Sequence, residues 1–360
     1  MPIARCWYAK WIRSSCISRR RRGWCAMSRS VSSRGRSTSR RCRRQSARCN
    51  RTGAERGMRG MSRRIWLASY PKSGNTWFRL LLANLRAERP AEINRLPTEP
   101  ALASARAPFD RAMLVASGLL TPDECDLIRP AAYRAMARID DPEEDAGAAG
   151  IDDTIFVKTH DGWTYNAAGE AMLGGADAAA GAILIVRDPR DIVASLAHHN
   201  AAPYDAAIGF MADPAARFAD RLENQPSQLR QIVTDWSGFQ ASWLDQRDVP
   251  VHLIRYEDLH ADAVGALARA LTFVGLDATM ADCRRAAEFA QFGRVREQEK
   301  RSGFGEAPRP QLATGFFRRG DTGGWHDELS PQQAACVEAA HAAMMLRLGY
   351  QLSERRRECG

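Results

Sequence analysis

The segment Lys72-Ser-Gly-Asn-Thr76 holds the residues whose types and spacing point most directly to chemistry. It connects an apolar stretch typical of a buried strand, residues 65–69, to an apolar stretch typical of a helix, residues 77–85. A loop at the start of a helix directs several backbone N–H groups and the positive end of the helix dipole at one anion. The lysine adds a full positive charge, and the serine and threonine add hydroxyl donors. The segment therefore predicts a site for a phosphate-like group.

This segment is not a Walker A loop. That loop reads G-x-x-x-x-G-K-[ST], with the lysine after the last glycine, whereas Lys72 here precedes Gly74. The third predicted strand ends in Arg187-Asp-Pro189, and we identify no strand-end aspartate suited to hold magnesium. An ordinary turn with a surface lysine is the alternative interpretation.

Three further segments carry charge or a titratable group. Arg187 follows a strand, and Ser195 lies eight residues later on the next helix, so a guanidinium and a hydroxyl could hold one phosphate. Lys158 and His160 are two apart at the end of another strand, and histidine is a suitable general base near neutral pH. The basic pair in Arg318-Arg319-Gly320 precedes a glycine-rich stretch that could wrap over a phosphate.

Each of these segments also has a structural interpretation. Arg187, Arg190 and Asp191 could form surface ion pairs, which are common and contribute little to stability. A strand-end histidine such as His160 is more often a hydrogen-bonded structural residue, and the Arg318 segment could be a flexible basic loop.

Short apolar runs alternate with longer helical stretches, which predicts a parallel sheet with helices on both faces. Ligands of such sheets bind at the carboxyl ends of the strands, so the Lys72 loop, His160, Arg187 and Tyr256 should converge on one crevice. We predict irregular structure for residues 87–120, an acidic loop at 140–153, a polar insertion at 201–228 and a long loop at 291–327. The predicted strands are residues 65–69, 154–159, 182–186 and 251–255, and the predicted helices are residues 76–86, 121–139, 188–199, 229–246, 262–274, 279–290 and 331–348.

The charge is divided unevenly along the 360 residues. Residues 1–60 contain 18 lysines and arginines against one acid, Glu55, a net charge of +17, which leaves −7 for residues 61–360 out of the total of +10. The first 60 residues lack apolar periodicity, so we expect a disordered Arg/Ser-rich leader. A start codon assigned too far upstream is the preferred explanation, with an organellar targeting segment or a basic arm for nucleic acid or membrane as alternatives.

The remaining composition narrows the class of protein. Residues 61–360 contain four scattered cysteines, without metal-ligand spacing, which suits a reducing, cytoplasmic compartment. No apolar run approaches the roughly 20 residues of a membrane span. The composition is enough for one large α/β domain.

Taken together, the four segments resemble the cytosolic-type sulfotransferase family, in a bacterial-like form. Members of this family use 3′-phosphoadenosine 5′-phosphosulfate (PAPS) as the sulfuryl donor, and the resemblance implies a P-loop-NTPase-like three-layer fold over residues 61–352. Tyr-Pro-Lys72-Ser-Gly-Asn-Thr-Trp77 is similar to the family's 5′-phosphosulfate loop, with Asn75 in place of threonine. In the C-terminal motif, Arg319 replaces lysine and Gly324 replaces the aspartate before Trp325.

The resemblance also implies roles for individual residues. His160 would be the catalytic base, Lys72 would stabilise the leaving group, Lys158 would lie near the sulfuryl oxygens, and Ser195 would contact the 3′-phosphate and position Lys72. The donor-binding residues implied by the motifs are Lys72, Ser73, Gly74, Asn75, Thr76, Trp77, Arg187, Ser195, Tyr256, Phe292, Arg318, Arg319 and Gly320.

The expected function is therefore sulfuryl transfer from PAPS to a hydroxyl or amine of a small-molecule acceptor, with no metal. The acceptor would bind to the variable residues 87–150 and 201–228 and is not readable from the sequence. A nucleotide-dependent kinase on the same sheet and a nucleic-acid-binding protein acting through the leader are the alternative classes. We do not expect a nucleic-acid partner, and a homodimer is left open.

Overall fold

The computed structural model describes residues 63–96, 102–138, 151, 154–220, 226–307 and 315–353. All of them belong to one compact unit, Gly60–Gly360. The predicted leader and most of the predicted acidic loop at 140–153 lie outside the described residues, as do residues 354–360.

Four parallel strands form the central sheet, in the spatial order β2-β1-β3-β6. Because all four run in the same direction, their carboxyl ends lie at one edge of the sheet. A separate antiparallel pair, β4 with β5, lies outside this sheet. The strands are β1 (Arg63–Ser69), β2 (Thr154–Thr159), β3 (Gly181–Val186), β4 (Arg217–Phe218), β5 (Gln231–Ile232) and β6 (Val251–Arg255).

Twelve α-helices surround the strands in the part of the chain that is described. Three of them follow strands of the central sheet, β1, β3 and β6, directly or after a short loop. The helices are α1 (Asn75–Asn84), α2 (Arg106–Met113), α3 (Pro122–Met136), α4 (Pro189–Asn200), α5 (Tyr204–Met211), α6 (Trp236–Asp245), α7 (Tyr256–Ala261), α8 (Ala263–Val274), α9 (Met280–Phe289), α10 (Phe292–Ser302), α11 (Trp325–Glu328) and α12 (Pro331–Arg347).

Two apolar clusters cover opposite faces of the sheet, because successive strand residues point to opposite sides. Trp66 and Leu184 face a cluster that includes residues of α4, α6 and α12. Leu67 and Ile183 face a cluster that includes residues of α1, α8 and α9. The molecule is therefore a three-layer α/β structure with helices on both faces, which confirms the predicted fold class.

Local signals explain where several helices begin. Thr121 accepts a hydrogen bond from the Glu124 N–H, and the Glu124 carboxylate in turn accepts the Thr121 N–H, so a capping box with Pro122 at the first helical position starts α3. Asp188 caps α4 through the Arg190 N–H, with Pro189 at the first helical position.

Four of the regional predictions were wrong in part. The stretch 87–120 contains helix α2, and the insertion 201–228 contains helix α5, both of which pack apolar residues such as Phe109 and Met211 into the core. The predicted helix at 229–246 is shorter, because Gln231–Ile232 pairs with β4 and Asp235 caps the helix that follows. The predicted long loop at 291–327 contains α10, whose apolar side is narrow and reduced to residues such as Val295.

Candidate active site

Four segments meet at the carboxyl edge of the sheet, as predicted. The Lys72 loop (residues 70–74) follows β1, and His160, Arg187 and Tyr256 follow β2, β3 and β6. His160 Nδ1 lies 2.7 Å from the Ser69 carbonyl oxygen, and Arg187 Nη1 lies 3.5 Å from the Lys72 carbonyl oxygen. The structure therefore brings the four strand ends to one place.

In the Lys72 loop, the backbone of Gly74 lies very close to the Tyr256 ring. Gly74 has φ +102°, and a Cβ atom at this position would lie 2.5 Å from Tyr256 Cδ2. Only glycine fits this turn without strain. The first helical hydrogen bonds of α1 run from the N–H groups of Trp77 and Phe78 to the Gly74 carbonyl, so the N–H groups before them point ahead of the helix.

The hydroxyl and amide side chains of this loop are used differently. Ser73 Oγ is buried and has no hydrogen-bond partner among the described residues. A buried hydroxyl without a partner is costly, so an acceptor atom of a ligand fits this position. Asn75 instead turns inward, and its Nδ2 donates to the Leu67 carbonyl at 3.0 Å and to Ser69 Oγ at 3.2 Å. Trp77 Nε1 donates to the Ala290 carbonyl at 3.0 Å.

Positive charge surrounds Lys72. Burial, followed by the nearby charges of Lys158, Arg187 and Arg318, lowers its pKa to about 7, and only the charge of Glu299 acts in the opposite direction. Like charges gathered around a buried ammonium are unfavourable unless an anion joins them. This cluster, with the Ser73 hydroxyl and the start of α1, fits a ligand that carries phosphate or sulfate groups.

His160 is held as a neutral base. The Ser69 carbonyl can only accept a hydrogen bond, so His160 Nδ1 carries the proton in the 2.7 Å contact, and Nε2 is left with its lone pair. Burial, followed by the charge of Lys158, lowers the pKa of His160 to about 3. The imidazole is therefore uncharged at neutral pH and able to accept a proton at Nε2.

A buried ion pair fixes the residue that follows the histidine. Arg129 donates to Asp161 from Nη2 at 2.8 Å and from Nη1 at 3.3 Å, and both side chains are almost fully buried. The Asp161 carbonyl also accepts a hydrogen bond from Trp243 Nε1 at 3.0 Å. These contacts hold the backbone at the end of β2, and therefore the position of His160.

Lys158 forms an ion pair with Glu306. Its Nζ lies 3.5 Å from Glu306 Oε2, while Arg79 Nη1 lies 2.7 Å from Glu306 Oε1. Burial lowers the pKa of Lys158, and the charge of Glu306 raises it. Glu306 also lines a cavity of about 560 Å³, whose other walls are Ile93, Asn94, Ser302, Gly303, Phe304 and Gly305.

Arg187 is not part of the surface ion-pair pattern. It donates to the backbone carbonyls of Lys72 and Asp321, the latter at 2.8 Å, and its guanidinium carbon lies 4.3 Å from the centre of the Tyr256 ring. Its Nε is buried without a described partner. Arg190 does form ion pairs, with Asp188 at 2.6 Å and with Glu338 at 2.7 Å, but these pairs are buried rather than on the surface.

The predicted Arg318-Arg319-Gly320 motif lies in what we call the Gly320 loop, residues 315–325. Arg318 donates through both terminal nitrogens to Glu328, and Arg319 pairs with Asp321 at 3.1 Å. Gly320 has φ +74°, and a Cβ there would lie 2.3 Å from Phe292 Cδ2. The Gly320 carbonyl accepts a hydrogen bond from Tyr256 at 3.1 Å. The loop therefore lies beside Phe292 and Tyr256, but its two arginines already have acidic partners.

The structure also places residues at the site that the sequence interpretation did not include. Phe316 covers the Lys72 ammonium, which lies 3.8 Å from the ring centre. The edge of the His199 ring faces Phe316 at 6.2 Å, and burial lowers the pKa of His199 to about 4. His199 lies four residues after Ser195, so both face the same side of α4. That spacing is the signal that would have identified His199 from sequence.

Within the described ranges, no group of three or more His, Cys, Asp or Glu side chains could hold a metal ion. No helix in the same ranges is long and apolar enough to cross a membrane.

Comparison with known proteins finds a family match in the C-terminal half of the chain. Residues 171–349 match the sulfotransferase domain family. The match covers just under half of the chain and agrees with the expected class of enzyme. The match includes the predicted Arg187, Tyr256 and Gly320 loop segments, and it begins after Lys72 and His160.

Comparison with solved structures found more distant similarities. The chain is similar to mouse sulfotransferase SULT7A1 complexed with PAP, with 16% identity over 82% of this chain and 88% of that chain, and a TM-score of 0.48. It is also similar to the sulfotransferase domain of the Synechococcus PCC 7002 olefin synthase, with 17% identity over 82% of this chain and 98% of that chain, and a TM-score of 0.42. No curated protein sequence matched the chain.

Proposed function

We propose that this protein transfers a sulfuryl group from PAPS to a hydroxyl or amine of a small-molecule acceptor. The observation that carries the proposal is the cation cluster around Lys72 beside the neutral His160. A donor with anionic groups at both ends of an adenosine would satisfy the cluster, and an uncharged imidazole would be ready to take a proton. The match of residues 171–349 to the sulfotransferase domain family supports the same class of reaction.

His160 acts as the general base in this proposal. Its Nε2 takes the proton from the acceptor as the acceptor atom forms a bond to sulfur, and the bond from sulfur to the bridging phosphate oxygen breaks. Lys72 stabilises the negative charge that grows on that oxygen, with help from the N–H groups at the start of α1. Lys158 interacts with the sulfuryl oxygens, and adenosine 3′,5′-bisphosphate (PAP) leaves.

The remaining residues bind the donor. Arg187, Ser195, Arg318 and Gly320 hold the 3′-phosphate, and Tyr256 lies near the adenine with Phe292 beside it. The contacts of Arg187 with the Lys72 and Asp321 carbonyls support this assignment, because they place one guanidinium between the two loops. The Lys72 loop holds the 5′-phosphosulfate.

The cavity at Glu306 is our candidate for the acceptor entrance. Phe304, one of its walls, packs against Phe316 at 4.8 Å between ring centres, and Phe316 covers Lys72. The cavity therefore lies within one aromatic contact of the proposed reaction centre. The few cysteines of residues 61–360 support a cytoplasmic location.

Calorimetric titration of the full chain with PAP and with AMP, both in excess EDTA, tests the proposal. We expect PAP to bind at least about tenfold more tightly, because the extra phosphate would meet charged hydrogen-bond donors. We also expect sulfuryl transfer from PAPS to continue in EDTA. Equal affinity for PAP and AMP would refute the proposal, and phosphoryl transfer from ATP that stops in EDTA would favour the kinase alternative.

A further inference from the structure

The Gly320 loop is tied to the rest of the protein by two carboxylates, one near each end. Glu299 on α10 accepts hydrogen bonds from the N–H groups of Phe316 and Phe317. Asp191 on α4 accepts the N–H of Gly323 at 2.7 Å and the N–H of Trp325 at 2.9 Å. Each carboxylate thus uses both of its oxygens on backbone groups of the same loop.

The Asp191 contact is buried and well supported. Asp191 is 4% exposed, and each of its two carboxylate oxygens accepts a hydrogen bond from a loop N–H group. The neighbouring Arg190 guanidinium lies 4.1 Å from the centre of the Trp325 ring and adds a second contact to the same end of the loop. A buried carboxylate that accepts backbone N–H groups makes strong, directional hydrogen bonds.

Charge pairing inside the segment cannot replace this contact. The ion pairs of Arg318 and Arg319 join them to Asp321, Asp327 and Glu328, all of which belong to the loop or to the short helix α11 after it. These pairs shape the segment but do not tie it to the sheet. The contacts from Arg187 and Tyr256 do reach the loop, and both of those residues are also proposed to contact the donor.

We propose that Asp191 is a positioning residue that holds the Gly320 loop where it recognises the 3′-phosphate of the donor. The inference rests on the proposed function. Asp191 follows Arg187 by four residues, so one strand-to-helix connection carries both a phosphate-binding guanidinium and the carboxylate that positions the facing loop. Glu299 accepts backbone N–H groups at the other end of the Gly320 loop, where Phe316 covers Lys72. That end of the loop would meet the 5′ end of the donor.

The test compares the Kd of PAP with that of AMP for the full-length wild type, D191N and E299Q. In D191N the new amide NH₂ faces a backbone N–H, so one hydrogen bond is lost and two donors oppose each other. We expect D191N to lose about tenfold in PAP affinity while its AMP affinity and its turnover at saturating PAPS stay unchanged. We expect E299Q to change the PAP and AMP affinities by the same factor.

The outcomes separate the inference from the proposed function. If the wild type prefers PAP and D191N keeps that preference, or if D191N loses PAP and AMP binding equally, Asp191 does not position the 3′-phosphate end and only the inference falls. If the wild type itself does not distinguish PAP from AMP, the proposed function falls and the inference falls with it. If thermal unfolding shows that D191N is not folded, D191E takes its place in the test. D191E keeps the negative charge, and we expect it to lose less PAP affinity than D191N and to keep its AMP affinity.

Discussion

The Lys72 loop and the Gly320 loop contain similar residues but are built in different ways. Both have a basic residue one or two positions before a glycine with positive φ, and in both the glycine lies against an aromatic ring, Tyr256 or Phe292. The Lys72 loop is fixed by neighbours in sequence, because β1 ends and α1 begins within a few residues of it. The Gly320 loop is fixed by side chains more than fifteen residues away, Glu299 and Asp191 among them.

The two loops also differ in how their charge is balanced. Lys72 is surrounded by other cations, and an aromatic ring rather than a carboxylate covers its ammonium. Arg318 and Arg319 have carboxylate partners. A bound anion would therefore stabilise the Lys72 loop directly. In the Gly320 loop, Arg318 and Arg319 must first release their carboxylate partners before they can bind an anion. We therefore expect reaction chemistry to depend on the Lys72 side and donor selectivity to depend on the Gly320 side.

The largest effect should come from His160. H160A removes the proposed base and should lower turnover by about 10² to 10⁴-fold, with PAP affinity little changed. R318A should do the reverse and weaken PAP binding while turnover at saturating PAPS stays near wild type. Steady-state kinetics measures the turnover of both variants, and calorimetry measures their affinity for PAP. H252A is the matched control, because His252 stacks on Phe273 at 5.3 Å, away from the site, and should change neither. Near-normal turnover in H160A would remove the base assignment.

The next effect is a pH dependence that only the Lys72 side should show. With a pKa of about 7, Lys72 is charged below that pH and neutral above it in the free protein. A bound anion raises this pKa, so PAP binding at pH 8 should take up a proton, whereas binding at pH 6 should not. The affinity should fall by up to about tenfold for each pH unit above 7.

Calorimetry in two buffers of different ionisation enthalpy measures this proton uptake. K72R keeps a charged guanidinium at all of these pH values, so its uptake should be smaller and its affinity less dependent on pH. R319A, which changes only the Gly320 loop, should leave the uptake unchanged. Equal uptake in the wild type and K72R would contradict the assignment of the shifted pKa to Lys72.

The contrast between the loops also explains which parts of the molecule could be predicted. The predicted strands 154–159 and 251–255 have the bounds of β2 and β6, and the predicted helix at 121–139 begins at the residue that caps α3, because strand patterns and helix caps act over a few residues. The meeting of the Lys72 loop, His160, Arg187 and Tyr256 was predictable because parallel strands bring their carboxyl ends to one edge.

Features that depend on distant contacts could not be predicted in this way. Helix α10 has few apolar residues, and its Glu299 is used to bind the backbone of the Gly320 loop. Phe316 lies over Lys72 although the two residues are far apart in the sequence. The inward turn of Asn75 depends on its contacts with the Leu67 carbonyl and Ser69 Oγ, which a motif comparison does not contain.

A pair of glycine substitutions sharpens the comparison further. Gly320 and Gly323 have φ +74° and +75°, so alanine is strained at both, but only at Gly320 would the new Cβ meet another residue, Phe292. G323A should lower thermal stability modestly. G320A should in addition weaken PAP binding about tenfold, and F292A in the G320A background should restore part of it. Equal PAP affinities in G320A and G323A would show that the Phe292 contact does not shape the loop.

The smallest effect tests whether the arginines of the Gly320 loop exchange partners. Glu328 neutralises Arg318 in this structure through two hydrogen bonds. If the donor's phosphate competes for the same guanidinium, E328Q should raise PAP affinity about threefold, because the neutral amide competes less well than a carboxylate. D327N is the matched control, since Asp327 is mostly exposed and pairs with Arg319 at 3.4 Å, so its removal should change PAP affinity less. A fall in PAP affinity in E328Q would mean that Glu328 orients Arg318 for the donor rather than competing with it, and the Gly320 loop would then be preorganised like the Lys72 loop.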